Sequence, residues 1–288
     1  MMHLIVLSIR TLLVAAHLLS NALAGGGLLL AALAPGDPDA RKQLARWSLW
    51  AIFVGLATGG LAVLVVLAGG YPGYGAAAAR LPAGAYWMLA GEWLFTAVLV
   101  HVYFIGWRRL AHRRFWHGLV GVAAATNLLY HFPTMMIVLA RLAHEPALSH
   151  SQTIARPEFL ALLRQPFPLA KSFHFWALSL VVAGVAYLFA TDRSKSRSTG
   201  AAVALAGVML LVLSGVGQLV AAPAGVSREL MSLSSMAGWF FLGGLLCGLG
   251  LIGDLSYTAA RGAPGQRRLI VVLVLAAVLM SAATVSVR

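Results

Sequence analysis

The sequence is poor in cysteine and in charged residues, and each shortage excludes classes of protein. Among its 288 residues there is one cysteine, Cys247. Disulfide scaffolds, thiolate metal sites and iron–sulfur clusters are therefore excluded, as is a covalently attached c-type heme, whose attachment motif needs two cysteines. Charged residues make up 10% of the chain, against about 25% in soluble domains, and hydrophobic residues make up 60%. These proportions exclude a water-soluble globular fold and a disordered chain, and they indicate a membrane protein.

Long apolar stretches supply the architecture. Eight of them reach the roughly 20 residues that a membrane helix needs. They cover residues 8–34, 48–69, 86–107, 117–140, 169–190, 200–221, 231–253 and 268–287. The first could be a signal peptide cleaved near Ala24, but its apolar run continues to Ala34, beyond the usual signal core, so we interpret it as a span. The sequence therefore predicts an all-α transmembrane bundle of eight spans, forming a single membrane domain over residues 1–288.

The distribution of basic residues predicts the orientation of this bundle. Thirteen of the 21 Lys and Arg residues fall in the four short loops after spans one, three, five and seven: Arg41, Lys42, Arg46, Arg108, Arg109, Arg113, Arg114, Arg193, Lys195, Arg197, Arg261, Arg267 and Arg268. Because cytoplasmic loops carry an excess of basic residues, both termini are expected on the outer, periplasmic side of a bacterial inner membrane. The net charge of +13 then reflects orientation and contact with the lipid bilayer rather than a nucleic-acid surface.

Polar side chains inside membrane spans are costly and therefore mark candidate functional sites. The candidates are His17 in span one, Glu92 and His101 in span three, Asn127 and His131 in span four, His174 in span five, and Met231 at the predicted start of span seven. In the predicted orientation His17, Glu92, His174 and Met231 share the outer third of their spans. His131 lies slightly deeper and His101 lies toward the inner face. The remaining histidines, at span ends or in loops, are expected to be solvated: His3, His112, His117, His144 and His150.

A group of His, Met and Glu side chains at one depth on different helices is typical of heme, whose iron takes His or Met as axial ligands. Arg10, Lys171 and Arg228, one or two turns further out, are candidate partners of the heme propionates. A bare metal ion is the rival interpretation, and the scarcity of closely spaced His pairs makes it weaker. Any one intramembrane histidine can also serve only as a hydrogen-bonding contact between helices.

Four segments together resemble subunit I of the cytochrome bd quinol oxidases. They are span one with Arg10 and His17, "GEWLFTAVLVHVYFIGWRRL" (91–110) with Glu92, "ATNLLYHF" (125–132) with Asn127, and "FLALLRQPFPLAKSFHFWALSLVVAGVAYLFA" (159–190) with His174. The match is good over residues 1–190, which hold spans one to five, and loose over residues 191–288, which hold spans six to eight.

The resemblance implies roles for these side chains. His17 would bind one heme, and His174 with Met231 would be the axial ligands of a low-spin heme b. In a terminal oxidase Glu92 and Asn127 would serve a proton path. The group of polar side chains at one depth also makes His131 or Glu92 a candidate for a further heme ligand. His101 and His131 have no counterpart in the family pattern and are weaker candidate ligands.

The departures from that family point to electron transfer. Only "APAGVSRE" stands where the family has a long quinol-binding loop, and a ninth span has no room after Arg288. We therefore expect an electron-transfer subunit of a respiratory complex with two or more hemes b. It would pass electrons between the quinone pool and an outer-face partner such as a c-type cytochrome, together with other membrane subunits. A compact bd-type terminal oxidase, with which heme d is compatible, and a non-heme copper or other metal-handling membrane protein are the alternatives.

Overall fold

The structure is a computed structural model that describes residues 2–69, 72–110, 112–144, 153–263 and 267–287. In chain order its helices are α1 (Met2–Leu33), α2 (Pro38–Ala68), α3 (Pro72–Arg80), α4 (Ala83–Ile105), α5 (Trp107–Leu110), α6 (Arg114–His144), α7 (Arg156–Leu163), α8 (Pro166–Ala190), α9 (Ser194–Ala221), α10 (Ala224–Leu230), α11 (Met236–Arg261) and α12 (Arg267–Ser286). None of the described residues forms a β-strand. An all-helical chain suits a bilayer because a helix satisfies its backbone hydrogen bonds internally.

Eight of the helices are long and apolar enough to cross a membrane: α1, α2, α4, α6, α8, α9, α11 and α12. This number confirms the predicted all-α, multi-pass fold. The four short helices α3, α5, α7 and α10 connect the spans. Helix α7 coincides with the amphipathic sequence "PEFLALL" in the longest connection.

Local sequence signals fix several helix ends. The Asp37 carboxylate accepts hydrogen bonds from the backbone N–H groups of Asp39 and Ala40, and Pro38 occupies the first position of α2. Ser235 accepts a hydrogen bond from the Gly238 N–H and so begins α11. Acidic and hydroxyl side chains are favoured at such positions because the first N–H groups of a helix have no partner within it.

Helix α1 lies at the centre of the bundle, in contact with α2, α6, α8 and α12. One buried apolar cluster surrounds Leu28, Leu44 and Tyr103 and joins α1, α2, α4 and α6. A second cluster, around Val181 and Leu255, joins α8, α9, α11 and α12. The two clusters meet along α1, which therefore positions both halves of the bundle.

Close approach of helix backbones depends on small residues. A Cβ atom added at Gly26 of α1 would collide with the Ser179 carbonyl oxygen of α8. A Cβ atom at Gly184 of α8 would lie 2.5 Å from the Ala204 nitrogen of α9. Small residues at these positions let membrane helices approach closely enough to gain dispersion energy along their length.

Helices α1 and α8 run in the same direction. Gly26, in the C-terminal part of α1, meets Ser179 near the middle of α8, and just beyond the ends of the two helices the Thr191 hydroxyl donates a 2.7 Å hydrogen bond to the Asp37 carboxylate. We call the side of the bundle at which α1 begins the N-terminal side. Helices α2 and α9 return antiparallel to α1 and α8, respectively, since Ser48 bonds Leu23 and Gly207 meets Val181.

The Asp37–Thr191 contact ties the α1–α2 connection to the end of α8. Burial opposes ionisation of Asp37, but hydrogen bonds from Thr191 and from two α2 amides, with Arg193 3.6 Å away, outweigh it and lower the pKa of Asp37. A lowered folded-state pKa means that the carboxylate stabilises the fold above its ordinary value of 3.8. That contribution is lost as the pH falls through the lower, folded-state pKa.

Replacing Asp37 by alanine is expected to reduce the free energy of unfolding by about 2 kcal/mol, since a helix cap and a partner of buried Thr191 are lost together. Thermal unfolding in detergent measures the change. Asp39→Ala is the matched control, because Asp39 lies in the same helical turn but is exposed. Equal midpoints for the two variants would contradict the assignment.

Candidate functional site

His17 lies on α1 and faces α2. Its Nδ1 atom is 2.8 Å from the Gly55 carbonyl oxygen, and because a carbonyl can only accept, Nδ1 carries the proton. The neutral ring therefore has its lone pair on Nε2. The Asn21 amide nitrogen is 3.2 Å from one ring nitrogen and 3.3 Å from the other, so it lies against the ring rather than in line with either atom. A Cβ atom at Gly59 would be 2.6 Å from the imidazole, so glycine makes room for it.

His174 lies on α8 and faces α9 in a similar arrangement. Its Nδ1 atom is 3.1 Å from the Ser214 hydroxyl oxygen. The Ser214 hydroxyl donates its own proton to the Leu210 carbonyl at 2.7 Å, so its oxygen accepts from His174. The Leu211 carbonyl is a further hydrogen-bond partner of the ring. With Nδ1 as the donor, the lone pair of the neutral ring is on Nε2, and the ring lies near Gly215, where a Cβ atom would be 3.6 Å away.

His101, on α4, shares this pattern. Its Nδ1 atom donates a 2.7 Å hydrogen bond to the Ala97 carbonyl, and Phe53 of α2 makes an edge contact with its ring. Histidines that bind metals through Nε2 commonly donate the Nδ1 proton to a carbonyl or another acceptor, which fixes the tautomer and the ring orientation. The side chain of His131, another predicted ligand, lies outside the described residues.

The structure places His17 and His174 at similar depths but on different faces. They precede the Gly26–Ser179 contact by nine and five residues, or about 14 and 8 Å along parallel helices. Both therefore lie toward the N-terminal side, within about 6 Å in depth. At about 100° per residue, His17 is rotated about 180° around α1 from Gly26, and His174 is rotated about 140° around α8 from Ser179. Both rings therefore face away from the α1–α8 contact. The two histidines therefore cannot ligate one iron atom together, and any sites that they form are separate.

Basic side chains accompany both histidines. Arg10 lies two turns before His17 on the same face of α1, and it hydrogen-bonds the Tyr74 side chain of α3. Lys171 lies three residues before His174, with its ammonium 5.6 Å from the Phe167 ring centroid. The third predicted propionate partner, Arg228, is exposed in α10.

The other predicted site residues lie in different surroundings. Met231 is in the connection before α11, with 70% of its side chain exposed, so the seventh span begins five residues later than predicted. Asn127 is buried between α6 and α4, where its amide donates to the Thr96 hydroxyl at 2.6 Å and to the Glu92 carbonyl at 3.0 Å. Glu92 is thereby brought beside Asn127 through its backbone, and Asn127 connects two helices.

No protein-family model, characterised protein sequence or solved structure matches this chain. The resemblance to the cytochrome bd subunit stays a hypothesis carried by the sequence segments alone.

The donor set favours heme over a bare metal ion. Among the described residues, no three His, Cys, Asp or Glu side chains come together as a group that could hold a metal ion. Protein sites for copper or zinc ions usually need three or four such ligands. A heme iron already has four porphyrin nitrogens and needs only one or two axial ligands. Single histidines with a fixed Nδ1 proton and a nearby cation fit that requirement.

The expectation that His117 is solvated was wrong. His117 is 5% exposed, its Nε2 atom donates to the Tyr103 carbonyl at 2.9 Å, and its ring stacks on that of Tyr103. Arg41 lies nearby and donates to the Ala31 and Ala32 carbonyls, where it satisfies the end of α1. No signal within α6 indicated this burial, because Tyr103, which packs on both His117 and Gly121, belongs to α4. His112 is exposed, as predicted.

Proposed function

We propose that this chain is a membrane b-type heme protein that acts as the electron-transfer subunit of a respiratory complex. The observation that carries the proposal is the shared arrangement of His17 and His174. Each imidazole has its Nδ1 proton held by an acceptor on the next helix, and each keeps an Nε2 lone pair within a membrane span. An ionisable ring placed at that depth on an ordered helix is expensive, and ligation of heme iron accounts for the cost.

Two hemes, one at each histidine, account for the separation of the two rings. The hydrogen bonds from Nδ1 would orient each ring and increase the basicity of its Nε2 atom. Arg10 and Lys171 would neutralise carboxylate groups on the N-terminal side of each site. When bound, heme supplies one-electron redox chemistry, and the apolar helices around it exclude water. His174 has a second candidate axial ligand in Met231 only if the exposed connection before α11 moves inward.

The charge distribution supports the proposed orientation, and the orientation suggests the partners. Thirteen basic residues in or beside the four connections opposite the N-terminal side favour placing the N-terminal side outside the cytoplasm of a bacterial inner membrane. Both histidines then lie near the outer face, at a depth suited to electron exchange with a protein such as a c-type cytochrome. The quinone pool of the bilayer would be the other redox partner, and further membrane subunits would complete the complex.

A reduced-minus-oxidised difference spectrum of the purified protein tests this proposal. We expect b-type heme bands that persist in His112→Ala, since His112 is exposed and outside the proposed sites. A colourless protein that carries stoichiometric copper would favour the metal-handling alternative. Oxygen uptake by the intact complex with a reduced donor would instead favour the terminal oxidase.

A further inference from the structure

A groove of about 560 Å³ runs between α2 and α4, within the membrane-spanning part of the bundle. Its principal lining side chains are Phe53, Trp93, Leu94, Val98, His101 and Ile105. Leu94, Val98 and Ile105 are 51–74% exposed, so the groove opens toward lipid rather than into the bundle. A lipid-soluble molecule could therefore enter it directly from the bilayer.

Two polar atoms of this groove have no hydrogen-bond partner among the described residues. His101 uses Nδ1 to donate to Ala97, which leaves Nε2 as a pure acceptor. The indole N–H of Trp93 is a pure donor and makes no hydrogen bond with the described residues. Both rings contact Phe53, with centroids 6.3 Å away for Trp93 and 5.9 Å away for His101. The two residues are eight positions apart on α4, about 12 Å along the helix axis, so the donor and the acceptor are on side chains at different heights beside one aromatic ring.

These features indicate which kind of molecule would bind in the groove. An acyl chain would fill the groove but would leave both polar atoms unpaired in hydrocarbon, where each unpaired group is costly. A flat ring with oxygen atoms at opposite positions would pair with both, provided that at least one oxygen carries a proton for His101. Since the groove is open to lipid, that ring would belong to a molecule that diffuses in the bilayer.

We propose that the α2–α4 groove binds a lipid-soluble hydroquinone, with one hydroxyl donating to His101 Nε2 and the opposite oxygen accepting from the Trp93 indole N–H. This inference deepens the proposed function, because it gives the quinone pool a binding site separate from His17 and His174. A quinone has only acceptor oxygens and cannot donate to Nε2. The groove is therefore selective for the reduced form, by about three- to tenfold in Kd for the loss of one neutral hydrogen bond.

Equilibrium binding to the protein in lipid nanodiscs, under anaerobic conditions, tests the proposal with three probes. These are a decyl-substituted benzoquinol, the corresponding quinone and the dimethyl ether of the quinol. We expect the quinol to bind about three- to tenfold more tightly than the other two. His101→Phe should remove this preference, and Trp93→Phe should weaken the quinol and the quinone alike.

Val98→Trp should abolish saturable binding of all three probes, because Val98 lines the groove and its replacement would fill it. Val212→Trp is the matched control, since Val212 is an exposed apolar residue of α9 away from the groove, and it should leave binding unchanged. Equal affinity for the quinol and its dimethyl ether, or unchanged binding in Val98→Trp, would overturn the proposal.

Heme content, measured on the same samples, separates the two proposals. A protein without heme that still shows the expected order of affinities would refute the proposed function and leave the groove site standing. Loss of heme on His101→Phe would mean that the groove holds a tetrapyrrole, and it would overturn the quinol site. Heme without selective quinol binding would leave the proposed function standing alone.

Discussion

Replacing His174 by alanine is expected to eliminate the b-type heme bands of one site while the heme at His17 remains. The reason is geometric, since His174 and His17 face away from each other and cannot share an iron atom. Ser214→Ala should have a smaller effect. It removes the acceptor that orients His174, and loss of such a supporting group typically lowers metal affinity by about 10- to 100-fold without removing the ligand.

Heme content and difference spectra of the two variants, at equal amounts of monodisperse protein, measure these effects. His112→Ala is the control for removing a histidine, because His112 lies in an exposed connection. An unchanged heme complement in His174→Ala would show that His174 is not a ligand. Equal loss of heme in His174→Ala and Ser214→Ala would show that both substitutions act by disturbing the packing of α8 on α9 and not by removing an iron ligand.

Replacing Gly26 by alanine is expected to reduce the free energy of unfolding by about 3 kcal/mol. The added Cβ would meet the Ser179 carbonyl, a backbone atom that cannot rotate away. Helices α1 and α8 would have to separate, although α1 connects both buried apolar clusters. The melting temperature and the yield of monodisperse protein measure the effect.

The expected decrease in the free energy of unfolding is opposite in sign to the usual effect of Gly→Ala, so the two outcomes are easy to distinguish. In a helix interior, Gly→Ala normally stabilises by about 1 kcal/mol. Gly60→Ala is the matched control, because Gly60 lies in the neighbouring span α2 and nothing lies within 4 Å of its added Cβ. We expect the control to be as stable as the parent or more so. A Gly26 variant that behaves like the control would contradict the packing of α1 on α8.

The number and type of the long helices could be predicted from the sequence, because a run of about 20 apolar residues is a strong signal. The helix ends were predicted less well. Span two was expected from residue 48, but α2 begins at Pro38, since its polar first turns lie outside the apolar run and are capped by Asp37. Span seven was expected from residue 231, but Ser235 caps α11 and the preceding residues form a turn.

Part of the candidate site could also be predicted. Helical spacing placed Arg10 with His17 and Lys171 with His174 on common faces, because these relations depend on one helix only. The neighbours of each ring could not be predicted. Gly55 and Ser214 come from other helices, and their positions depend on the close contacts that glycine permits. The burial of His117 was missed for the same reason, since its partner Tyr103 belongs to α4.

A pyridine hemochrome assay, combined with the heme-to-protein ratio of the purified chain, tests the central claim most directly. It identifies the heme type and counts the hemes in one step. The two separate histidine sites predict b-type heme with about two hemes per chain. A protein that binds no heme after expression with an adequate heme supply would contradict the claim that His17 and His174 are iron ligands.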